Sequence, residues 1–472
     1  MRKQNAFLIS IVLLLVWTMC LFNGTNYKIS EIELLIFYII ILFCFIRMES
    51  FYGEITFLIY TMGLFLCSYP VMDILGLVNV RENQLFSFYT FSNQEIITSI
   101  NILSLTLISI LFAYSISQNT HNQECENRAV GTSLPIYFVV IFIILGIATS
   151  IYRVMSGVLF STTESYLSNF GEGTLSVGPA WTKYLSISPR AIKALIIIAL
   201  ASKPPQKQCI KILTFYLVIS ATQLLSGQRG PFIVETLFII WYYCKYYKKI
   251  KIRYMLIPAS VLMFVSNSVS YIRNNQTVDF SVTFLKEFFV SQGVSFDVIA
   301  NTVRYYKDLK SANTIGIPYF LGAVHKYLAY IFSKLIFQDS VFGHGQTQAA
   351  LENSSYLGWK LTDIISPYQY SIGRGTGSSF VAENYLLFRY FGVIVLTFFM
   401  IWLVLYLRKK TNEKNSVYRS AVYFVVVQAL IYAPRNNFWI FISEVISVYA
   451  ILIVFNIVFP KLFKVNTQLS NY

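Results

Sequence analysis

The stretch ILTFYLVISATQLLSGQRGPFIVETLFIIWYYC, residues 212–244, consists of two apolar runs broken once by SGQRG at 226–230. Each run is close to the length needed to cross a hydrocarbon core as a helix, where a chain must satisfy its own backbone hydrogen bonds. The stretch therefore reads as a membrane hairpin. Arg229 stands at its turn, where a cation either anchors a helix end or holds an anion. Gly227 and Gly230 permit a sharp bend, and Pro231 suits the first turn of the following helix. The amides at that helix start favour negative charge.

Working outward, the same texture fills the chain. Of 472 residues, 56% are hydrophobic, 17% aromatic and only 12% charged, which excludes a soluble protein with a solvated surface. The pattern predicts an all-α polytopic membrane protein with about twelve transmembrane helices, near 6–22, 33–46, 55–75, 96–116, 134–155, 187–202, 212–227, 231–244, 254–271, 380–407, 419–434 and 437–459. The first run, AFLISIVLLLVWTMCLF, lacks a small-residue cleavage site and reads as a retained helix.

Orientation follows from lysine and arginine, because positive loops stay inside. With the N-terminus inside, the inner segments MRK, 47–54, 117–133, KPPQKQCIK, KYYKKIKIR, RKKTNEKNSVYR and PKLFK hold about half of the 37 basic residues. Short outer loops hold one each: Lys28, Arg81 and Lys183. The net charge of +15 is thus largely a topology signal, and no nucleic-acid partner is needed to explain it.

The division that follows has spans one to nine in 1–271, a long outer loop at 272–379 and spans ten to twelve in 380–472. Within the loop, PYFLGAVHKYLAYIFSKLIFQ places Lys326, Tyr330, Lys334 and Gln338 at four-residue steps. This predicts an amphipathic helix lying on the membrane rather than a thirteenth span. FLKEFFVSQGVSFDVIANTVRYYKDLK, which ends in Arg304, Lys307 and Lys310, reads as a second helix.

Cofactor signals are thin. Cys20, Cys44, Cys67, Cys125, Cys209 and Cys244 all fall in spans or inner loops, so no disulfide framework is expected outside. His121, His325 and His344 lack zinc spacing, and neither a nucleotide-binding nor a nucleophile motif occurs. Any chemistry is expected to run without metal, nucleotide or redox cofactor.

Arginines instead recur at outer span ends: Arg229, Arg273 in SYIRNN, Arg374 in IGRGTGSS, Arg389 in LLFRYFG and Arg435 in YAPRNNFW. Guanidinium groups grip phosphate oxygens in pairs and keep their charge, which suits a diphosphate at a membrane surface. Snorkelling, in which arginine anchors a helix end in the headgroup layer, is the other reading. Arg229 and Arg435 favour the first, since each occupies a very tight outer turn.

LLSGQRGPFIVETLF, SYIRNN, GTGSSFVAENYLLFRYFGVIV and APRNNFWIFISEVI, taken in order, resemble the O-antigen polysaccharide polymerases of the Wzy family over roughly residues 210–445. The family's late-span pattern S-x-x-x-E-x-Y-x-x-F-x-x-x-G is matched by Ser379, Glu383, Tyr385, Phe388 and Gly392, with Arg389 a departure where a neutral residue is expected.

The resemblance implies a fold similar to C-type glycosyltransferases, with the long loop on the periplasmic side of the bacterial inner membrane and both termini cytoplasmic. It implies polymerisation of undecaprenyl-diphosphate-linked oligosaccharide repeat units into O-antigen or a related surface polysaccharide, alongside a Wzz-type chain-length regulator. Arg229, Arg273 and Arg435, with Arg374 a fourth candidate, are assigned to the diphosphate. Glu383 is the first choice for the base that takes the acceptor proton, with an ion pair to an arginine as its structural alternative. His325 is the second choice, and His344 lies on the same side. Glu444 reads as a buried group that could pair with Arg435. An O-antigen ligase acting on lipid A core would use similar features, and a lipid-linked oligosaccharide flippase is a third reading.

Overall fold

The computed structural model describes residues 3–23, 26–85, 89–117, 136–154, 188–225, 229–254, 282–336, 346–413 and 416–458, together with a few positions between 260 and 268. All extended elements among them are helices, and the sole strand-type pairing is the isolated bridge between Glu82 and Thr90. The expected span at 254–271 lies largely outside the described residues, as do Arg273, His121, His344 and Cys125.

The helices follow the apolar runs. They are α1 (Lys3–Asn23), α2 (Tyr27–Glu49), α3 (Glu54–Ile74), α4 (Asn93–Ser117), α5 (Ile136–Val154), α6 (Ser188–Ala201), α7 (Gln206–Leu225) and α8 (Arg229–Tyr246). After these come α9 (Val282–Arg304), α10 (Tyr306–Ala312), α11 (Gly322–Ile336), α12 (Gln348–Glu352), α13 (Leu357–Ile365) and α14 (Pro367–Ser371). The chain ends in α15 (Phe380–Glu413), α16 (Val417–Tyr432) and α17 (Phe441–Val458).

Among the described residues six helices are long and apolar enough to cross a membrane: Gln4–Leu21, Tyr27–Glu49, Glu54–Ile74, Asn93–Ser117, Phe380–Glu413 and Val417–Arg435. Val139–Arg153 and Phe438–Val454 are shorter apolar helices. α6 has 14 residues, about 21 Å at 1.5 Å each, so it falls short of a full crossing by itself.

α15 shows the inverted pattern of a membrane helix. Phe391, Val395, Phe399, Trp402 and Tyr406 form an exposed apolar stripe, while Thr397 on the other face is fully buried. In α4 the buried Thr106 and Ser109 hydroxyls donate to Ile102 O and Leu105 O, each at 2.7 Å, so these interior polar groups are satisfied within the helix. One buried cluster joins α2, α3, α4, α9 and α15 through residues such as Leu34, Leu58, Leu103, Phe296 and Met400. A second joins α6, α7, α8 and α16 around Trp241, Tyr242 and Phe424.

The segments that charge assigns to the inner side meet at one end. Arg408 Nη1 donates to Glu49 Oε1 at 2.6 Å and to Glu54 Oε1 at 2.9 Å, and Lys245 Nζ reaches Glu54 Oε2 at 3.3 Å. Tyr52 Oη also bonds Ile250 O. This network ties α2, α3, α8 and α15 together. Arg408→Ala would leave the enclosed Glu49 without its cation and Glu54 with Lys245 alone, so it is expected to cost about 3 to 5 kcal/mol. A large drop in the unfolding midpoint of the detergent-solubilised protein checks this; an unchanged midpoint rejects it.

The expected tenth span, 380–407, is not a single straight helix. Phe388 (φ −142, ψ 40) and Arg389 (φ 52, ψ −134) break α15. Asn384 Nδ2 donates to Thr397 Oγ1 at 3.4 Å, although 13 residues of straight helix would separate the two by about 20 Å. The first arm, Phe380 to Leu387, therefore folds back along the second. Gly392 is required at the crossing, because a Cβ there would overlap the carbonyl oxygen of Asn384. Gly392→Val is expected to abolish the fold-back and with it the folded protein, read as loss of a monodisperse peak on size exclusion.

A constellation beside the folded-back helix

The fold-back carries the site. Its N-terminal side is the loop 372–379, bent by left-handed glycines at Gly373 (φ 87) and Gly377 (φ 76). Thr376 N donates to Thr362 Oγ1 at 2.9 Å, which pins the loop to α13. Ser378 and Ser379 then enter the bundle fully buried. One turn further on, the buried Glu383 accepts from Ser378 Oγ at 2.6 Å and from Asn437 Nδ2 at 2.7 Å. Asn437 Nδ2 also reaches Phe320 O at 2.8 Å. Two buried atoms here, Ser379 Oγ and Asn437 Oδ1, have no hydrogen-bond partner among the described residues, so the site retains polar capacity that the protein does not use.

Two residues before Asn437, a short 3₁₀ turn (Ala433–Arg435) ends α16. Arg435 Nη1 donates to Gln292 Oε1 of α9 at 2.6 Å, and its guanidinium lies 5.4 Å from the Phe65 ring. Both partners are placed by backbone features. Phe65 sits in a π-helical turn, Gly63–Cys67, that interrupts α3. Gly293 lets α9 approach α3 closely, since a Cβ there would meet the Tyr69 Cβ at 2.9 Å.

Arg229 and Gly230 converge on the same place. Arg229 is the first residue of α8, and a Cβ on the next residue, Gly230, would stand 3.1 Å from the Tyr432 hydroxyl. Tyr432 in turn lies within electrostatic reach of Arg435, Lys193 and Glu235. The two tight arginine turns are therefore neighbours in space although more than 200 residues apart.

The model of the family described as O-antigen polysaccharide polymerase Wzy matches residues 5–466, nearly the whole chain. The chain belongs to that family. Searches of curated proteins and of solved structures each return no significant match. Repeat-unit polymerisation in O-antigen synthesis, by a multi-pass membrane protein of glycosyltransferase type acting on lipid-linked oligosaccharides, is thus the family's general activity.

The Wzy-type motif gains a physical meaning here. Ser379 opens the re-entrant arm, Glu383 points into the bundle, Tyr385 packs 5.6 Å from Tyr306, Phe388 forms the bend and Gly392 admits the close crossing. Arg389, the departure from the pattern, lies exposed at the bend with its guanidinium 5.0 Å from the Tyr306 ring, and Lys310 Nζ caps Leu387 O at 3.3 Å. Its positive φ is a strained conformation that these contacts hold in place.

The other expected residues separate. Among the described residues Glu383 bonds to no arginine, its partners being Ser378 and Asn437. Arg374 is exposed on the 372–379 loop, where its amide donates to Gln369 O at 2.9 Å. His325 is half-buried on α11 and is not among the partners of Glu383; burial pushes its imidazole below the ordinary value. Glu444 pairs with Lys193 at 3.6 Å, not with Arg435.

Several contributors escaped sequence reasoning. Gln292 and Phe65 hold Arg435, and Asn437 holds Glu383, yet only Asn437, in PRNN, stands near a residue that had drawn notice. Tyr356 is enclosed close to Glu383 and Tyr432, and burial raises its phenol with both neighbours adding.

Proposed function

We propose that this chain joins undecaprenyl-diphosphate-linked repeat units at the periplasmic face of the inner membrane, without a metal, with Glu383 as base and Arg435 and Arg229 on the diphosphate. The observation that carries the reading is the placement of Glu383. It is a buried carboxylate held by Ser378 and Asn437 at the start of a re-entrant helix, next to the turn that bears Arg435.

In the proposed step, a sugar hydroxyl of the incoming unit gives its proton to Glu383 as its oxygen bonds to the anomeric carbon of the growing chain. The carbon–oxygen bond to the lipid diphosphate breaks, and the diphosphate leaves with the electron pair. The leaving group is already good, so the protein's task is to neutralise charge and orient the acceptor. Asn437 Oδ1 and Ser379 Oγ, both without partners among the described residues, are suited to the acceptor's hydroxyls. Arg273 and Arg374 remain further candidates for the diphosphate, and His325 for proton transfer.

Around this centre we assign twelve spans in a C-type-like arrangement, with spans in 1–271 and 380–472, the segment 272–379 on the periplasmic side and both termini cytoplasmic. A Wzz-type regulator is the partner we expect. A strain lacking this chain tests the reading: its surface glycan, resolved on a gel, should collapse to core carrying one repeat unit. Core without any repeat, accompanied by long lipid-linked chains, would instead make the chain a ligase.

A further inference from the structure

Polymerisation brings two lipid diphosphates to one protein, and the Arg435 turn accounts for one. A second set of cations lies outside that turn. The exposed guanidinium of Arg190, at the start of α6, lies 5.1 Å from the Tyr327 ring, and Tyr327 Oη is 3.1 Å from Ser447 Oγ of α17. The adjacent residue, Lys326, has its ammonium 3.3 Å from the Trp359 ring centroid and 5.1 Å from that of Tyr356. Neither Arg190 nor Lys326 has a carboxylate within ion-pair distance among the described residues, whereas Lys193, one turn along α6, pairs with Glu444. Burial pushes the Lys326 ammonium down to about 7, with the charge of Arg190 adding. Two neighbouring cations without counter-charge are a costly arrangement that an anion would relieve.

Directly along α6 from Arg190 runs a groove with a wholly apolar lining. A cavity of about 220 Å³ is bounded by Ile141 and Leu145 of α5, Ala191 and Leu195 of α6, and Ile451 and Val454 of α17. Ala191 is the residue after Arg190, so the apolar groove begins where the cations stand. An apolar channel ending in paired cations fits one kind of molecule, a lipid with a long hydrocarbon tail and a strongly anionic head.

We propose that this groove and the Arg190–Lys326 pair form a second binding site for a polyprenyl diphosphate, with the tail along α5, α6 and α17 and the phosphates on the two cations. The identity of the lipid rests on the polymerase reading above. The site adjoins the Arg435 turn through Lys193, which with Arg435 lies within reach of Tyr432. Two lipid-linked substrates would thus be held on separate cation sets.

The test is binding of a labelled long-chain polyprenyl diphosphate to the purified full chain in phosphatidylcholine nanodiscs, with stoichiometry read by native mass spectrometry. Competing arms use phosphatidylglycerol, inorganic pyrophosphate and neutral polyprenol. The wild-type chain is expected to hold two molecules. The Arg190→Ala/Lys326→Ala double variant should hold one, with the lost site weakened on the order of tenfold or more. Ala191→Trp should remove the same site by filling the groove and should also reduce polyprenol binding, while Lys326→Arg, which keeps the charge, should retain both molecules. If the double variant and Ala191→Trp still hold two, or if the wild-type chain holds one that Arg435→Ala removes, the second site is refuted and the polymerase reading stands. If phosphatidylglycerol fills the site and polyprenyl diphosphate is not held at all, both fail together.

Discussion

Glu383→Gln is expected to stop chain extension while leaving the protein folded in the membrane. Glutamine matches glutamate in size and can keep both existing contacts, its carbonyl oxygen accepting from Asn437 Nδ2 and its amide donating to the Ser378 hydroxyl. What it cannot do is take a proton. A positioned base contributes about 10²- to 10⁴-fold to rate, so the surface glycan should collapse towards single repeats at unchanged protein level. Removing the side chain entirely is a poorer test, because Glu383→Ala would leave Ser378 and Asn437 facing a buried void and would mix folding with chemistry. A normal ladder from the glutamine variant would assign Glu383 a purely structural role. His325 would then be the next base to examine, since burial favours its neutral form.

The parts of the molecule that sequence made legible are those with a local cause. Apolar runs became helices, and the segments bearing Glu49, Glu54, Lys245 and Arg408, which charge bias assigns to one side, bond to one another at one end of the bundle. SGQRG and APRNN stood out because a cation in a tight turn between apolar runs is unusual, and Gly230 of the first and Arg435 of the second both lie near Tyr432.

The fold-back of α15 was hidden. Residues 380–407 are apolar on average despite Glu383, Asn384 and Arg389, and mean hydropathy registers only that such a run suits hydrocarbon, not that the chain reverses at Phe388 and Arg389. The trace it left was Gly392 together with an arginine where a neutral residue was expected. Pairings across long separations were equally invisible. Lys326 was placed on a polar helix face by its spacing, but its ring partners Tyr356 and Trp359 come from the next segment of chain. Glu444 looked like a partner for Arg435 because the two are close in sequence, yet Lys193 is the cation that α6 brings to it.

Arg435 allows anion binding and membrane anchoring to be told apart by one conservative change. Arg435→Ala is expected to lower polymerisation by about 10²- to 10³-fold, the usual effect of losing one preorganised electrostatic contact to a charge that develops in the transition state. Arg435→Lys is the sharper experiment. Lysine snorkels as well as arginine, so an anchoring role predicts wild-type chain lengths. The geometry argues otherwise. The guanidinium donates to Gln292 and stands 5.4 Å from the Phe65 ring, and a planar group with five donors can hold that position while offering paired donors to a diphosphate. An ammonium cannot keep the glutamine bond, cover the ring and present two parallel donors at once, so the lysine variant should recover only a minor part of the activity. Chain-length distributions on a gel, together with repeat-unit turnover by the purified variants, measure both. If Arg435→Lys is fully active, the diphosphate assignment falls and the turn is an anchor. If it is nearly as impaired as Arg435→Ala while protein levels match wild type, the fork of donors, and not the charge alone, is what the reaction uses.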